Sequence, residues 1–95
     1  MSALQTIQNY VYGVEGEFNA MLADTSINFE REAGFAIQVL TSSDYITKLA
    51  VNDRQSVVNA VTNIAAIGIS LNPAKKQAYL VPRKGKVCLD ISYMG

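Results

Sequence analysis

Leu4, Ile7, Val11, Val14, Phe18 and Met21 recur at intervals of three and four residues, the spacing that lines one face of an α-helix. Residues 1–25 therefore read as an amphipathic helix with Ser2 as its N-cap. Gly13 and Gly16 lie inside it, and each weakens a helix interior by about 1 kcal/mol relative to alanine. A helix this marginal needs a surface to pack on: the domain's own core, or a second copy of the chain joined through the same six side chains. Tyr10 and Tyr12, near this seam, read as packing residues. The turn Asp24-Thr25-Ser26 leads to a helix from Asn28 to Leu40 that buries Phe29, Ala33, Ala36, Ile37 and Leu40. Thr41-Ser42-Ser43-Asp44 supplies capping oxygens for a short helix, Tyr45 to Ala50. Asn52, with Gln55 three residues on, then caps a helix to Ile67. Its inward positions are Val57, Val61, Ile64 and Ala65, with Val58 beside them, and Gly68 ends it. Residues 28–68 are thus helical throughout.

Beyond Pro73 the period falls to two. Gln77–Arg83 and Lys86–Tyr93 read as strands joined through Arg83-Lys84-Gly85-Lys86, a β-hairpin over 77–93. Val87, Leu89, Ile91 and Tyr93 share one face; Cys88, Asp90 and Ser92 share the other. Pro82 cannot donate to a ladder, so its strand belongs at an edge or carries a bulge. The fold class is α+β: several N-terminal helices followed by a β-hairpin. Since a lone hairpin is marginal in water, the chain is expected to be part of a larger fold truncated at the C-terminus.

Length adds that 95 residues make one small domain with a thin stability margin. Cys88 is the single cysteine, so no intrachain disulfide can form and a reducing compartment is expected; its own side chain reads as a small apolar or edge residue. The N-terminus shows no basic segment leading into an apolar run, and Ile64–Leu71 is far shorter than the ~20 residues a bilayer span needs. A cytoplasmic chain without a membrane partner is the expectation.

Charge changes the picture more. The net charge is zero, yet residues 1–74 hold three basic and seven acidic side chains, while residues 75–86 hold five basic ones and no acid. Local charge, not the net value, attracts polyanions. Histidine is absent, and with it the commonest general base and metal ligand. No CxxC, nucleophile elbow or Walker-type loop occurs. The acid pairs Glu15/Glu17 and Glu30/Glu32 are two residues apart, do not face each other on a helix, and read as solvated faces. The expectation is a chain with no catalytic residue, metal or cofactor. Lys75, Lys76, Arg83, Lys84 and Lys86 are the candidate phosphate contacts, and Tyr79 is a candidate for stacking on a base or shaping a groove wall. The alternative is an oligomerisation or structural module that works through the Leu4–Met21 seam, its hairpin an ordinary solvated one whose lysines blunt an edge strand.

Three blocks carry a resemblance to a known family: Ala65-Ala66-Ile67-Gly68-Ile69-Ser70-Leu71-Asn72-Pro73, Gln77-Ala78-Tyr79-Leu80-Val81-Pro82-Arg83, and Val87-Cys88-Leu89-Asp90-Ile91-Ser92-Tyr93-Met94-Gly95. Together they resemble the RecT family of phage-type single-strand annealing recombinases. That family pairs an alanine-rich helix and Asn/Asp-Pro turn with an A-Y-L-[IV]-P strand and a second strand closing on aromatic-x-Gly. Phe29-Glu30-Arg31-Glu32 and Ser56-Val57-Val58-Asn59-Ala60 sit where such proteins open helices on Phe and Ser. The resemblance runs from Phe29 to Gly95, and Met94 is a minor departure in the closing motif. It implies a DNA-binding protein of homologous recombination and repair, phage- or prophage-encoded in a bacterial host, that binds single-stranded DNA and anneals complementary strands without ATP. It further implies a homo-oligomer, an annealed duplex intermediate, a partner exonuclease, and chain segments beyond Gly95 that complete the DNA groove.

Overall fold

The computed structural model describes residues 2–22 and 26–91. Five helices precede a two-stranded antiparallel hairpin, an α+β arrangement: α1 (Ala3–Tyr12), α2 (Glu15–Met21), α3 (Phe29–Leu40), α4 (Asp44–Asn52), α5 (Arg54–Ile67), β1 (Ala78–Arg83) and β2 (Lys86–Ile91). The expected turn at Asp24-Thr25 and the strand's continuation through Ser92 and Tyr93 lie outside the described residues.

The seam expected on one helix is distributed over two. Ser2 caps α1 by accepting from the Gln5 N–H at 3.1 Å, and the helix stops at Gly13. A Cβ there would sit 2.9 Å from the Asn9 carbonyl oxygen, so this close approach requires glycine. Val14 caps α2 through its backbone alone. The apolar stripe crosses this break intact: Ile7, Val11, Val14 and Phe18 are all buried in the chain's own core, whereas Leu4 and Met21, at its two ends, are about half exposed. Packing within the domain accounts for the four central positions. Tyr10 donates its hydroxyl to the Val51 carbonyl at 3.2 Å and lies under the Arg54 guanidinium, so it packs as expected; Tyr12 meets Phe29 edge-on but stays half exposed, short of the packing role expected of it.

Asn28 caps α3. Phe29, at its first position, meets the Phe18 ring edge-to-face with centroids 5.2 Å apart, which fastens α2 to α3. Ala33 and Ala36 leave little bulk between α3 and α1. Ile37, expected inward, is only partly buried, because Leu40 closes the stripe. Ser43 caps α4, and Thr47 donates to the Leu40 carbonyl at 2.8 Å, which fixes α4 against the end of α3. The cap of α5 differs from expectation. Helix α4 runs on through Asn52, so Asp53 takes the capping position and accepts from the Ser56 N–H at 3.1 Å.

Helix α5 is central and packs on α1, α2, α4 and β2. Val57, Ala60, Val61, Ile64 and Ala65 are buried, with Val58 packed at their margin. Gly68, at φ 81°, ends it in the left-handed conformation that costs glycine nothing. The hairpin lays Ala78, Leu80 and Val87 onto this helical layer. It therefore has the helical support that a two-stranded sheet needs.

Candidate nucleic-acid interface

The hairpin turn is dictated by its two central residues. Lys84 (φ 52°) and Gly85 (φ 76°) both take positive φ, the type I′ pattern whose twist matches the flanking strands. A two-residue turn closes on a hydrogen-bonded pair, here Arg83–Lys86, and the ladder alternates from there. Pro82, opposite Val87, thereby falls at a position that needs no ladder bond. The Val87 N–H points off the ladder and donates to Ser56 Oγ of α5 at 3.3 Å. This register accounts for the proline without a bulge.

Cross-strand partners share a face. Ala78–Ile91, Leu80–Leu89 and Pro82–Val87 share the face that lies on the helices, with Ala78, Leu80 and Val87 buried and Pro82 and Ile91 exposed at its two ends; Tyr79–Asp90, Val81–Cys88 and Arg83–Lys86 share the other face. Tyr79 is 43% exposed. Cys88 is half-buried beside Val81, in keeping with a small edge residue. All five candidate cations are exposed, but they do not form one cluster. Lys75 and Lys76 lie in the turn that leads into β1, while Arg83, Lys84 and Lys86 lie at the tip. The six residues of β1 separate the groups by about 20 Å at ~3.3 Å per residue.

Arg83 is already engaged. Its guanidinium donates to Asp90 Oδ2 at 2.9 Å, the only ion pair among the described residues. Both side chains are well exposed, so the pair contributes little stability. Its consequence is electrostatic: Asp90, the single acid after residue 74 and the cross-strand neighbour of Tyr79, is neutralised.

The two described non-glycine residues with positive φ are Lys76 (φ 51°) and Lys84, both in the candidate set. Such a backbone costs a non-glycine residue roughly 1–2 kcal/mol, and it occurs here once at the root and once at the tip of the hairpin.

One residue of consequence escaped the sequence reading. Glu30 is exposed, as expected of a solvated helix face, but Glu32 is 2% exposed and belongs to the buried stripe. Its carboxylate accepts from Ser70 Oγ at 2.7 Å and from the Leu71 N–H at 2.6 Å. The signal lay in its spacing: three residues after Phe29 and four before Ala36, it occupies an apolar position of α3.

Two surface hollows lie elsewhere, one lined by Glu15, Asn19 and Glu30, the other by Glu17, Arg54 and Gln55. Neither touches the hairpin, and their acids do not suit a phosphate. Among the described residues no three His, Cys, Asp or Glu side chains gather to hold a metal, and no helix is long and apolar enough to cross a membrane. No family model, no curated protein and no solved structure matches the chain.

Proposed function

We propose that this chain is a non-enzymatic DNA-binding module of an ATP-independent single-strand annealing protein, with the outer face of the hairpin forming one wall of the strand-binding groove. The observation that carries the reading is the exposed Tyr79 ring on that face, with Lys75 and Lys76 at the hairpin's root and Lys84 and Lys86 at its tip. Lysines hold phosphates without reading sequence, and an aromatic face accepts any base. An annealer needs both properties, since base edges must stay free to pair with the complementary strand. In this reading Arg83 neutralises Asp90 beside Tyr79, and four lysines make the phosphate contacts. The RecT-like blocks supply the annealing step, further copies of the chain and an exonuclease that generates single strands as the wider setting.

Binding of the full chain to a labelled oligothymidylate, followed by anisotropy over a range of salt concentrations, tests this. Four contacts at ~0.7 each give a slope of log affinity against log salt of about −2.8. Lys84→Glu/Lys86→Glu should weaken binding and bring the slope to about −1.4. Tyr79→Ala should weaken binding by about 5- to 150-fold, the range for one stacked base, with no change of slope. A wild-type slope near zero would rule the assignment out.

A further inference from the structure

We infer that Glu32 is a positioning residue for strand binding, acting through Ser70 and Leu71 to fix the turn that presents Lys75 and Lys76; this rests on the DNA-binding reading above. The stretch between α5 and β1 has no repeating backbone structure, so side-chain anchors set its shape. Those anchors form a connected series. Ser70 Oγ donates to Glu32 and accepts from the Asn72 N–H at 3.1 Å, and Leu71 donates its own N–H to Glu32. Asn72 then accepts twice: its side-chain oxygen from the Ala74 N–H at 2.9 Å, and its carbonyl from the Lys75 N–H at 3.0 Å. Gln77 closes the loop by accepting from the Ser70 N–H at 3.0 Å. From the Glu32 carboxylate to the Lys75 backbone the series runs through three hydrogen bonds and the backbone of Asn72, and Lys76 follows in its left-handed conformation.

An acid at this position is explained by the two groups it anchors. Glu32 lies among Phe29, Ala33, Ala36 and Leu40, with no cation within ion-pair reach among the described residues. Desolvating an unpaired carboxylate is costly, but removing it leaves the buried Ser70 hydroxyl and Leu71 N–H without their acceptor, which is costly too. A carboxylate offers what an apolar residue cannot: two acceptor oxygens and no donor, matched to one hydroxyl and one N–H. Glutamine keeps one acceptor and presents an amide N–H₂ where the second was. Glu32→Gln should therefore retain one link, and Glu32→Leu neither.

The experiment measures oligothymidylate binding across salt, and amide hydrogen exchange over 70–77, in the full chain. Variants are Glu32→Leu, Glu32→Gln, Lys75→Ala/Lys76→Ala, and Glu32→Leu combined with the lysine pair. Glu32→Leu is expected to keep the helical circular dichroism, lose amide protection at Leu71 and Asn72, and flatten the salt slope by up to about 1.4, the share of two lysines. Glu32→Gln should fall between it and wild type. In the lysine-deficient background Glu32→Leu should remove nothing more, a non-additivity that general loosening of the fold does not produce. Unchanged affinity and slope in Glu32→Leu, with the lysine pair still contributing, overturns the positioning role and leaves the binding reading standing. A full additional loss in the combined variant overturns it too. If neither the lysine pair nor Lys84→Glu/Lys86→Glu alters binding, the DNA-binding reading itself fails. Should Glu32→Leu not fold, Ser70→Ala, which cuts the link between Glu32 and Asn72, carries the same comparisons.

Discussion

Replacing Phe18 by alanine tests whether the N-terminal seam is core or interface. Phe18 is fully buried, is the one buried residue of α2, and holds that seven-residue helix to α3 through the Phe29 ring. Truncating a buried phenylalanine costs about 3–5 kcal/mol, counting lost transfer energy and the cavity left behind. A domain of 95 residues has an unfolding entropy near 0.2 kcal/mol/K at its midpoint. The loss therefore lowers Tm by about 15–25 °C, and against a total of roughly 5–14 kcal/mol it leaves the variant marginal. Phe18→Leu keeps the site filled and forfeits the ring-edge contact, so its cost should be nearer 1–1.5 kcal/mol. Urea and thermal denaturation at two widely separated protein concentrations provide the assay. If the seam is intramolecular, both variants shift by the same amount at each concentration. If it joins copies, the wild-type Tm rises with concentration and the alanine variant loses that dependence. A concentration-dependent difference between wild type and Phe18→Ala, or a cost below about 1 kcal/mol, would refute a core role for Phe18.

The glycines separate by their surroundings. Gly34→Ala, in the interior of α3 with nothing within 4 Å of the added methyl, should stabilise by about 0.5–1 kcal/mol, and Gly16→Ala, equally open but in the first turn of α2, by less; Gly13→Ala, whose methyl meets the Asn9 carbonyl, should destabilise by about 1–3 kcal/mol, all three read from urea midpoints. Asp90→Asn should change stability by no more than about 0.5 kcal/mol, since its partner Arg83 is well exposed. In the oligonucleotide assay the same change should tighten binding and steepen the salt slope by about 0.7 as Arg83 becomes available; weaker binding would contradict the neutralising role given to that pair.

Much of this architecture is legible in the sequence because each segment's period and punctuation agree. The three- and four-residue spacing gives the helices, Ser43 and Gly68 mark ends, and the change to alternation after Pro73 gives the hairpin and the faces of its strands. Where boundaries slipped, a neighbour decided. Asn52 and Asp53 are both good caps, and only the continuation of α4 through Asn52 selects the second. Gly13 and Gly16 mark weak points of the first helix, but the apolar spacing runs through both; that Gly13 ends one helix follows from its close backbone approach to the Asn9 carbonyl, which has no side-chain pattern. Arg83–Asp90 could not be read from the register, since Asp90 stands opposite Tyr79 and a long guanidinium must reach along the face to meet it.

Two further shortfalls have a common origin and bear on function. Counting charge along the chain makes five cations one cluster, whereas a strand converts sequence neighbours into groups about 20 Å apart. Comparing acids with each other makes Glu30 and Glu32 a solvated pair, whereas comparing each with the apolar stripe separates the exposed one from the buried one. In both cases the deciding quantity is position relative to an element's axis, not proximity in sequence. For the proposed groove this is an advantage. Cations at both ends of a hairpin would grip a strand at two separated points, and the face between them carries an ion-paired acid and an aromatic ring. A single dense cluster would bind phosphate as tightly but would leave no such stretch over which bases remain free to pair. Glu32 belongs to the same division of labour, because the turn at the hairpin's root has no ladder to hold it and takes its anchor from α3.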